Sequence, residues 1–283
     1  MTTDRFNIRP MRSEEIVLAT DWAATEGWNP GLADASCFAS IDPQGFLIGE
    51  LDGEAAACIS MVNYEDHFAF LGFYIVRPDL RGRGFGWRIW RAAIAHAGHR
   101  TIGLDGVVAQ QDNYRKSGFV VAHRNIRYSG MVKSTGLPLA VGLVPLSDIP
   151  INFVAAYDVA VFPAPRLPFL RAWIETGGHI GRALLRDGEL AAWGVIRPCR
   201  TGFRIGPLFA NDSPAAQAVL NALVTDIGGG EIFIDVPENN LAAVMLAEER
   251  GLKPVFETAR MYTGSIRTIK QERIFGVTSL ELG

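Results

Sequence analysis

The stretch Arg81-Gly82-Arg83-Gly84-Phe85-Gly86 combines residue types that favour binding of a bulky anion. An apolar run ending at Val76 precedes it, and the residues after it place apolar side chains at helical spacing. Glycines let the backbone approach a ligand closely, and the first amides of a helix lack partners within that helix. With the helix dipole and two arginines, these amides would form a pyrophosphate site. The structural alternative is a glycine-rich surface turn.

The spacing of these glycines excludes two common nucleotide-binding motifs. The Gly-x-x-x-x-Gly-Lys-[Ser/Thr] pattern of P-loop kinases and ATPases does not occur here. The dinucleotide pattern Gly-x-Gly-x-x-Gly, started at Gly82, would require a glycine where Trp87 stands. A different phosphate-bearing ligand is therefore expected.

Together with the strand before it, this stretch resembles the acetyl-CoA motif of the GNAT superfamily of acetyltransferases. That motif is [Gln/Arg]-x-x-Gly-x-[Gly/Ala] after a strand that ends in Val-x-Pro, here Val76-Arg77-Pro78. The resemblance implies that the amides of residues 81–86 hold the CoA pyrophosphate and that Tyr74, Ile75 and Val76 pair with the pantetheine arm. It also implies direct transfer in a ternary complex, with an amide near Ile75 polarising the thioester carbonyl.

A second motif of that family, Tyr-x-[Lys/Arg]-x-Gly-Phe, matches Tyr114-Arg115-Lys116-Ser117-Gly118-Phe119. The resemblance implies that the Tyr114 hydroxyl lies near the CoA sulfur and protonates the departing thiolate as a general acid. The alternative is that Tyr114 is a packing aromatic at a helix end. Family members often have Asn seven residues before this tyrosine, whereas this chain has Val107.

An amine acceptor must be neutral to attack, so a base is expected near it. The candidates are Glu26, Glu65, Asp66 and Asp105. Glu26 opens an unusual loop after the first predicted helix, a region that borders the acceptor in GNAT folds, and Asp105 lies near the end of a predicted strand. We expect Glu26 or Asp105 to recognise or deprotonate the acceptor. The alternatives are a helix-terminating loop and a solvated strand end.

The elements that must position these residues occur twice along the chain. Asp52-Gly53-Glu54 recurs as Asp187-Gly188-Glu189, and Tyr128-Ser129-Gly130 recurs as Tyr262-Thr263-Gly264, with offsets of 134 or 135 residues. Such a repeat favours a duplicated domain. Two unrelated halves are the alternative.

Each half is predicted to have an α+β fold, a mixed, mostly antiparallel twisted sheet flanked by helices. The first half has a helix capped by Ser13, strands Phe68–Val76 and Thr101–Val107, and a final strand Val120–Tyr128. The resemblance makes these tandem GNAT-like (acyl-CoA N-acyltransferase) domains. We predict an acetyl-CoA-binding domain at 1–130, a linker at 131–143 marked by a glycine and Pro138, and a degenerate GNAT-like domain at 144–283.

The second half lacks the phosphate cradle. The repeat offset places the cradle on Pro214–Val219, which contains no glycine, and the helix there begins Asp212-Ser213-Pro214, so its own side chains serve its first amides. Tyr114 falls on Ala247, although Asn240 and Ala243 match the family's Asn-x-x-Ala. We expect this half to bind no CoA and to cover the acceptor side of the first.

Composition restricts the remaining possibilities. Apolar residues make up 48% of the 283 residues and charged residues 20%, which excludes a disordered chain, and a net charge of −3 provides no field for nucleic acid or anionic lipid. Three cysteines favour a reducing compartment, and no apolar run is long enough for a membrane helix, so a cytoplasmic protein is predicted. The histidines show no zinc-site spacing, so no metal is expected.

The predicted function is an acetyl-CoA-dependent N-acetyltransferase that acts on the amine of a small molecule or an amino-acid-like acceptor. Acetyl-CoA is the expected co-substrate, and no nucleic-acid or membrane partner is expected. Two alternatives stay open: a non-catalytic acyl-CoA-binding or sensor module, and a tandem GNAT acyltransferase acting on a peptide or protein amine. The acceptor's identity, the use of other acyl groups and the oligomeric state are open at this stage.

Overall fold

The computed structural model describes residues 5–134, 136 and 139–283, which form thirteen β-strands and eight α-helices. The strands are β1 (Phe6–Pro10), β2 (Phe46–Leu51), β3 (Glu54–Tyr64), β4 (Phe68–Val76), β5 (Thr101–Val107), β6 (Val120–Val132), β7 (Leu143–Pro145), β8 (Ile180–Arg186), β9 (Glu189–Pro198), β10 (Phe203–Ala210), β11 (Gly230–Pro237), β12 (Lys253–Tyr262) and β13 (Ile274–Gly276). The helices are α1 (Ile16–Thr25), α2 (Asp34–Phe38), α3 (Phe85–Ala97), α4 (Gln111–Lys116), α5 (Ile151–Val159), α6 (Leu167–Glu175), α7 (Ser213–Asp226) and α8 (Leu241–Glu249).

The strands form one twisted sheet in the order β1-β2-β3-β4-β5-β12-β6-β11-β10-β9-β8-β7, with β13 beside β10. Among the described pairs, only β4 with β5 and β10 with β11 run parallel. Both parallel pairs occupy equivalent places in the two repeats. The predicted α+β class, with a mostly antiparallel sheet flanked by helices, is confirmed.

Most predicted elements near the site have the predicted bounds, including β4 and β5. The expected cap by Ser13 is wrong: a 3-10 turn precedes α1 there, and the Glu15 carboxylate accepts the Arg12 amide at 2.8 Å. Strand β6 continues to Val132, two residues into the predicted linker, and Pro138 lies outside the described residues.

The last strand of each repeat is exchanged with that of the other. Strand β12, from the second repeat, lies between β5 and β6, while β6 from the first repeat lies between β12 and β11. Each repeat therefore completes the other's part of the sheet. The predicted domains 1–130 and 144–283 follow from the sequence repeat. That each range folds as a unit stays a prediction.

Side chains on the two faces of the sheet belong to different cores. In β3, Ile59 and Met61 pack in the cluster beneath α3, whereas Cys58 and Val62 belong to the cluster on the opposite face. That opposite cluster joins the repeats, because Phe38 of α2 stacks on Trp173 of α6 with ring centres 6.1 Å apart. The halves are thus held by a shared core as well as by a shared sheet.

Each parallel pair separates into a fork after a few residues. Strand β4 pairs with β5 only over Phe68–Leu71, and β10 pairs with β11 only over Phe203–Ile205. In β4 the separation begins at Gly72, next to a bulge at Phe73, whose φ of 46° is unusual for a bulky residue. We call the opening between β4 and β5 the first fork and the opening between β10 and β11 the second fork.

The stretch 274–283, here called the C-terminal segment, fills the second fork and continues to the first. Its strand β13 pairs with β10, and the Val277 amide donates to the Asp235 carbonyl of β11 at 2.9 Å. Further on, the Tyr64 hydroxyl donates to the Leu282 carbonyl at 2.9 Å. A Cβ added to Gly72 would lie 2.1 Å from the Glu281 carbonyl oxygen, so β4 requires glycine where the segment crosses it.

Candidate active site

The glycines of the predicted cradle serve two purposes. Gly82 and Gly84 have φ values of 77° and 86°, a region that suits glycine, and a Cβ on either would meet no atom within 4 Å. Gly86 has a packing role, because its Cβ would lie 2.8 Å from the Tyr74 hydroxyl oxygen. The loop therefore presents open backbone at the start of α3 while that helix packs tightly on β4.

Helix α3 is fixed over the sheet by its apolar face and by one cation. Ile89, Trp90 and Ala93 are buried on the sheet, and the Arg88 guanidinium lies 4.6 Å from the centre of the Phe6 ring. The amides at the start of α3, which have no partners within the helix, thus face a groove of about 500 Å³. Tyr74, Ile75 and Val76 line the same groove, so the structure brings the predicted cofactor residues of β4 and the glycine loop together.

The two arginines of the loop are placed differently. Arg81 lines the groove, donates Nε to the Val76 carbonyl at 3.0 Å and forms an ion pair with Glu26. The guanidinium of Arg83 lies 5.1 Å from the ring centre of Phe85, whose side chain is buried in the core. Glu26, predicted to meet the acceptor, therefore lies beside the glycine loop of residues 81–86.

Tyr114 is 7% exposed and packs between aromatic rings. Its ring stacks on Trp90 at 5.7 Å and meets Phe119 edge-on at 6.2 Å. Burial raises the pKa of Tyr114 well above its usual range, and the neighbouring Tyr74 adds to the effect. The hydroxyl is therefore protonated at physiological pH, as that of an ordinary tyrosine is, and burial disfavours its ionised form.

Asp105 is buried in an ion pair with the exchanged strand. Its Oδ1 accepts from Arg260 Nε at 3.0 Å and from Asn125 Nδ2 at 2.7 Å, and its Oδ2 accepts from Arg260 Nη2 at 2.7 Å. Burial opposes the charge on Arg260, but the Asp105 carboxylate raises the pKa of Arg260 above its ordinary value. Both oxygens of Asp105 are thus already engaged.

A second cavity, of about 60 Å³, lies at the first fork beside the groove and is here called the inner cavity. Trp28, Tyr74, Val107 and Gln110 line both spaces. Its other walls include Tyr114, Asp105, Phe256 and two residues of the C-terminal segment, Leu280 and Glu281. The structure therefore brings Tyr114 and Asp105 together around one space next to the groove.

The remaining candidates lie elsewhere. Glu65 and Asp66 are exposed in the hairpin before β4, at the end of that strand away from the fork, and Asp66 lies 3.7 Å from Arg100. Sequence analysis did not single out Gln110, Phe256 or Glu281, and no motif marks them. Their place at the fork depends on pairing between distant parts of the chain.

The loop that carries Trp28 is held by two buried arginines, Arg127 of β6 in the first repeat and Arg204 of β10 in the second. The Trp28 carbonyl accepts from Arg127 and from Arg204, each at 2.6 Å. Arg127 also forms a two-pronged ion pair with Asp235, at 2.7 and 3.0 Å. Burial opposes the charge on Asp235, yet Arg127 and then Arg204 lower its pKa. These ion pairs fix one wall of the inner cavity.

The equivalent features of the second half are occupied by the chain itself. At the start of α7, the Asp212 carboxylate accepts the Ala215 amide at 2.9 Å and pairs with Arg186 at 2.6 Å. Asn240 caps α8 and donates to the carbonyls of Glu272 and Ile274, at 3.1 and 2.9 Å. Within the described ranges, the second fork thus holds the C-terminal segment instead of an open groove.

Membrane-spanning helices and metal-ion clusters are both absent from the residues that the structure describes. No helix in that part of the chain has the length and apolar character needed to cross a bilayer. The same residues contain no group of three or more His, Cys, Asp or Glu side chains able to hold a metal ion.

Comparisons with known proteins agree with the two repeats. The model of the "Acetyltransferase (GNAT) family" matches residues 14–119, and that of an "Acetyltransferase (GNAT) domain" matches residues 154–276. A holothin acyltransferase from Pseudoalteromonas sp. (strain SANK 73390) is 32% identical over 277 residues, covering 97% of this chain and 94% of the relative.

Two solved structures share the fold over nearly the whole chain. A crystal structure from Pyrococcus horikoshii has a TM-score of 0.82 at 23% identity and covers 100% of this chain and 98% of that one. A tandem GNAT protein from the clavulanic acid biosynthesis pathway has a TM-score of 0.63 at 13% identity, with coverage of 92% and 99%. The two-repeat architecture therefore occurs in other solved proteins.

Proposed function

This chain belongs to the GNAT acyltransferase family, and on that basis we propose that it is an N-acyltransferase that uses acetyl-CoA to acylate a small-molecule amine. The observation that carries the proposal is the first fork, which joins the open glycine loop to the inner cavity beside Tyr114. The second half has a structural role in this proposal, because its own fork is filled.

The residues around the groove fit a CoA thioester. The loop amides of residues 81–86 would hold the pyrophosphate, since Gly82 and Gly84 leave room that a side chain would fill. Beyond Leu71, β4 no longer pairs with β5, so its Tyr74–Val76 edge is available for main-chain pairing with the pantetheine arm.

Acyl-CoA supplies a thioester, so attack by the amine nitrogen forms a C–N bond and breaks the C–S bond, with one proton leaving nitrogen and one reaching sulfur. Tyr114, which lines the inner cavity and carries a protonated hydroxyl, donates the proton to sulfur. The hydroxyl then recovers a proton from water in the groove. The products are an amide and the CoA thiol.

The size of the inner cavity favours a small acceptor. Its volume of about 60 Å³ suits a small acceptor molecule, and the C-terminal segment closes one side of the cavity. A relative of similar length is named a holothin acyltransferase, which supports an acyltransferase with a specific acceptor. A peptide acceptor would need a long open cleft. Among the described residues, the walls of the inner cavity enclose a small space instead.

Calorimetry with CoA and acetyl-CoA, followed by an assay of CoA release with small amines and a peptide, tests this function. Gly84→Ala strains a left-handed position in the loop and should weaken acetyl-CoA binding by about tenfold, or about 1.4 kcal/mol. Gly53→Ala is the matched control, because Gly53 has a φ of 89° and equally open surroundings in a distant hairpin turn. Absence of binding to the folded wild-type protein would refute the assignment. Binding without CoA release from any acceptor would favour a sensor module.

A further inference from the structure

The C-terminal segment brings an acidic side chain to the inner cavity. Glu281 lines this cavity together with Tyr74 and Tyr114, although more than 160 residues separate it from either in sequence. Its backbone crosses β4 at Gly72, where the strand has no side chain. The tyrosines and Glu281 therefore border one space.

The Glu281 carboxylate is buried but incompletely satisfied. It is 2% exposed, and its Oε1 lies 3.7 Å from Arg204 Nη1, beyond hydrogen-bond distance. Its Oε2 has no hydrogen-bond partner among the described residues. A buried carboxylate oxygen without a donor is unfavourable, so a ligand that supplies an N–H there would be stabilised.

The other two carboxylates near the site are already engaged. Both oxygens of Asp105 accept from Arg260, and Glu26 forms its ion pair with Arg81 beside the cofactor loop. Glu281 differs from Asp105 because, in the part of the chain that the structure describes, its Oε2 has no donor and its only ion-pair partner, Arg204, lies beyond hydrogen-bond distance. It differs from Glu26 because it lines the inner cavity, whereas Glu26 lines the groove.

We propose that Glu281 binds the nitrogen of the acceptor amine and takes its proton as the C–N bond forms. This inference rests on the proposed function. Oε2 accepts an N–H of the amine, the proton moves to that oxygen during attack, and it later passes to water. The cavity has a volume of about 60 Å³ and its remaining walls include Trp28, Phe73 and Phe256, so the acceptor class is an amine carried on a small, apolar body.

Glu281→Gln tests the assignment with little change in shape, and Glu272→Gln is its control on an exposed carboxylate nearby in the chain. We expect the Glu281→Gln protein to bind acetyl-CoA as the wild type does, while kcat/KM for the amine falls by about 100-fold. Glu272→Gln should leave both quantities unchanged. Equal kcat/KM for the two variants, with an active wild type, would overturn the role of Glu281 and leave the proposed function standing.

A second measurement uses only the wild-type protein and remains decisive if Glu281→Gln does not fold. Once a panel has identified an accepted amine, its quaternary ammonium analogue is compared as an inhibitor with the neutral carbon isostere. A carboxylate at the nitrogen position should make the cation bind about tenfold more tightly. Equal inhibition would refute the proposal for Glu281. A wild type that releases no CoA with any amine would instead refute the proposed function, and this inference with it.

Discussion

At the scale of single residues, the proposed proton-donor role of Tyr114 can be separated from its packing role. Tyr114→Phe keeps the ring that stacks on Trp90 and removes only the hydroxyl. We expect kcat to fall by roughly 100-fold, within the range of general acid catalysis, with acetyl-CoA binding unchanged. The measurement is steady-state CoA release combined with calorimetry.

The control for this change is Tyr128→Phe, which removes a hydroxyl from a buried tyrosine of the second core. It should leave kcat unaltered. If Tyr114→Phe kept the kcat of the Tyr128→Phe protein, Tyr114 would be a packing residue only.

Sequence motifs predicted that the glycine loop and Tyr114 lie near one site, and the structure places them around adjoining spaces, because their positions are set within a short stretch of chain. The glycine positions follow from φ values and a local helix start, which the sequence constrains directly. Glu281 could not be found in this way. Its place depends on a segment that crosses β4 from the far end of the chain, and the adjacent residues give no periodic signal for that crossing.

At the scale of elements, the crossing of the C-terminal segment over β4 is a single close contact that can be tested. Gly72→Ala would place a Cβ against the Glu281 carbonyl, where the available separation is 2.1 Å. We expect the segment to be displaced, the free energy of unfolding to fall by about 1–3 kcal/mol, and protease cleavage after residue 277 to increase. Thermal unfolding and mass spectrometry of digests measure both effects.

Gly177→Ala is the control, because a Cβ at Gly177 meets nothing within 4 Å. It should change neither quantity. A Gly72→Ala protein with wild-type stability and protease resistance would mean that the segment does not depend on this close approach.

Most individual elements follow from the sequence, but their partners do not. The apolar patterns of β4 and β5 predict both strands with their bounds, since each pattern is local. The pattern of β6 is equally compatible with β5 or β11 as a neighbour, because alternation fixes which face is buried and not which strand lies alongside. The exchange of β6 and β12 was therefore beyond sequence reasoning.

At the scale of the whole molecule, the exchange makes each half dependent on the other. We expect a chain cut between Ala140 and Val141, where Val141 is 99% exposed, to assemble from its two fragments. The first fragment alone should lack a cooperative thermal transition, because β12 joins β5 to β6 and both strand neighbours of β6, β11 and β12, belong to the second fragment. Calorimetry of each fragment and of their mixture measures this.

The uncut protein and a mixture with a denatured second fragment serve as controls. A first fragment that unfolded cooperatively and bound acetyl-CoA by itself would contradict the expected dependence. Recovery of binding only in the native mixture would support it.

The exchanged strands also constrain how such a protein can change over generations. Because each repeat completes the sheet of the other, a deletion that removed the second repeat would also leave β5 and β6 of the first without β12. The second repeat can then lose the residues of a ligand site, but its strands must be kept. Duplication followed by strand exchange thus turns a redundant domain into an indispensable one.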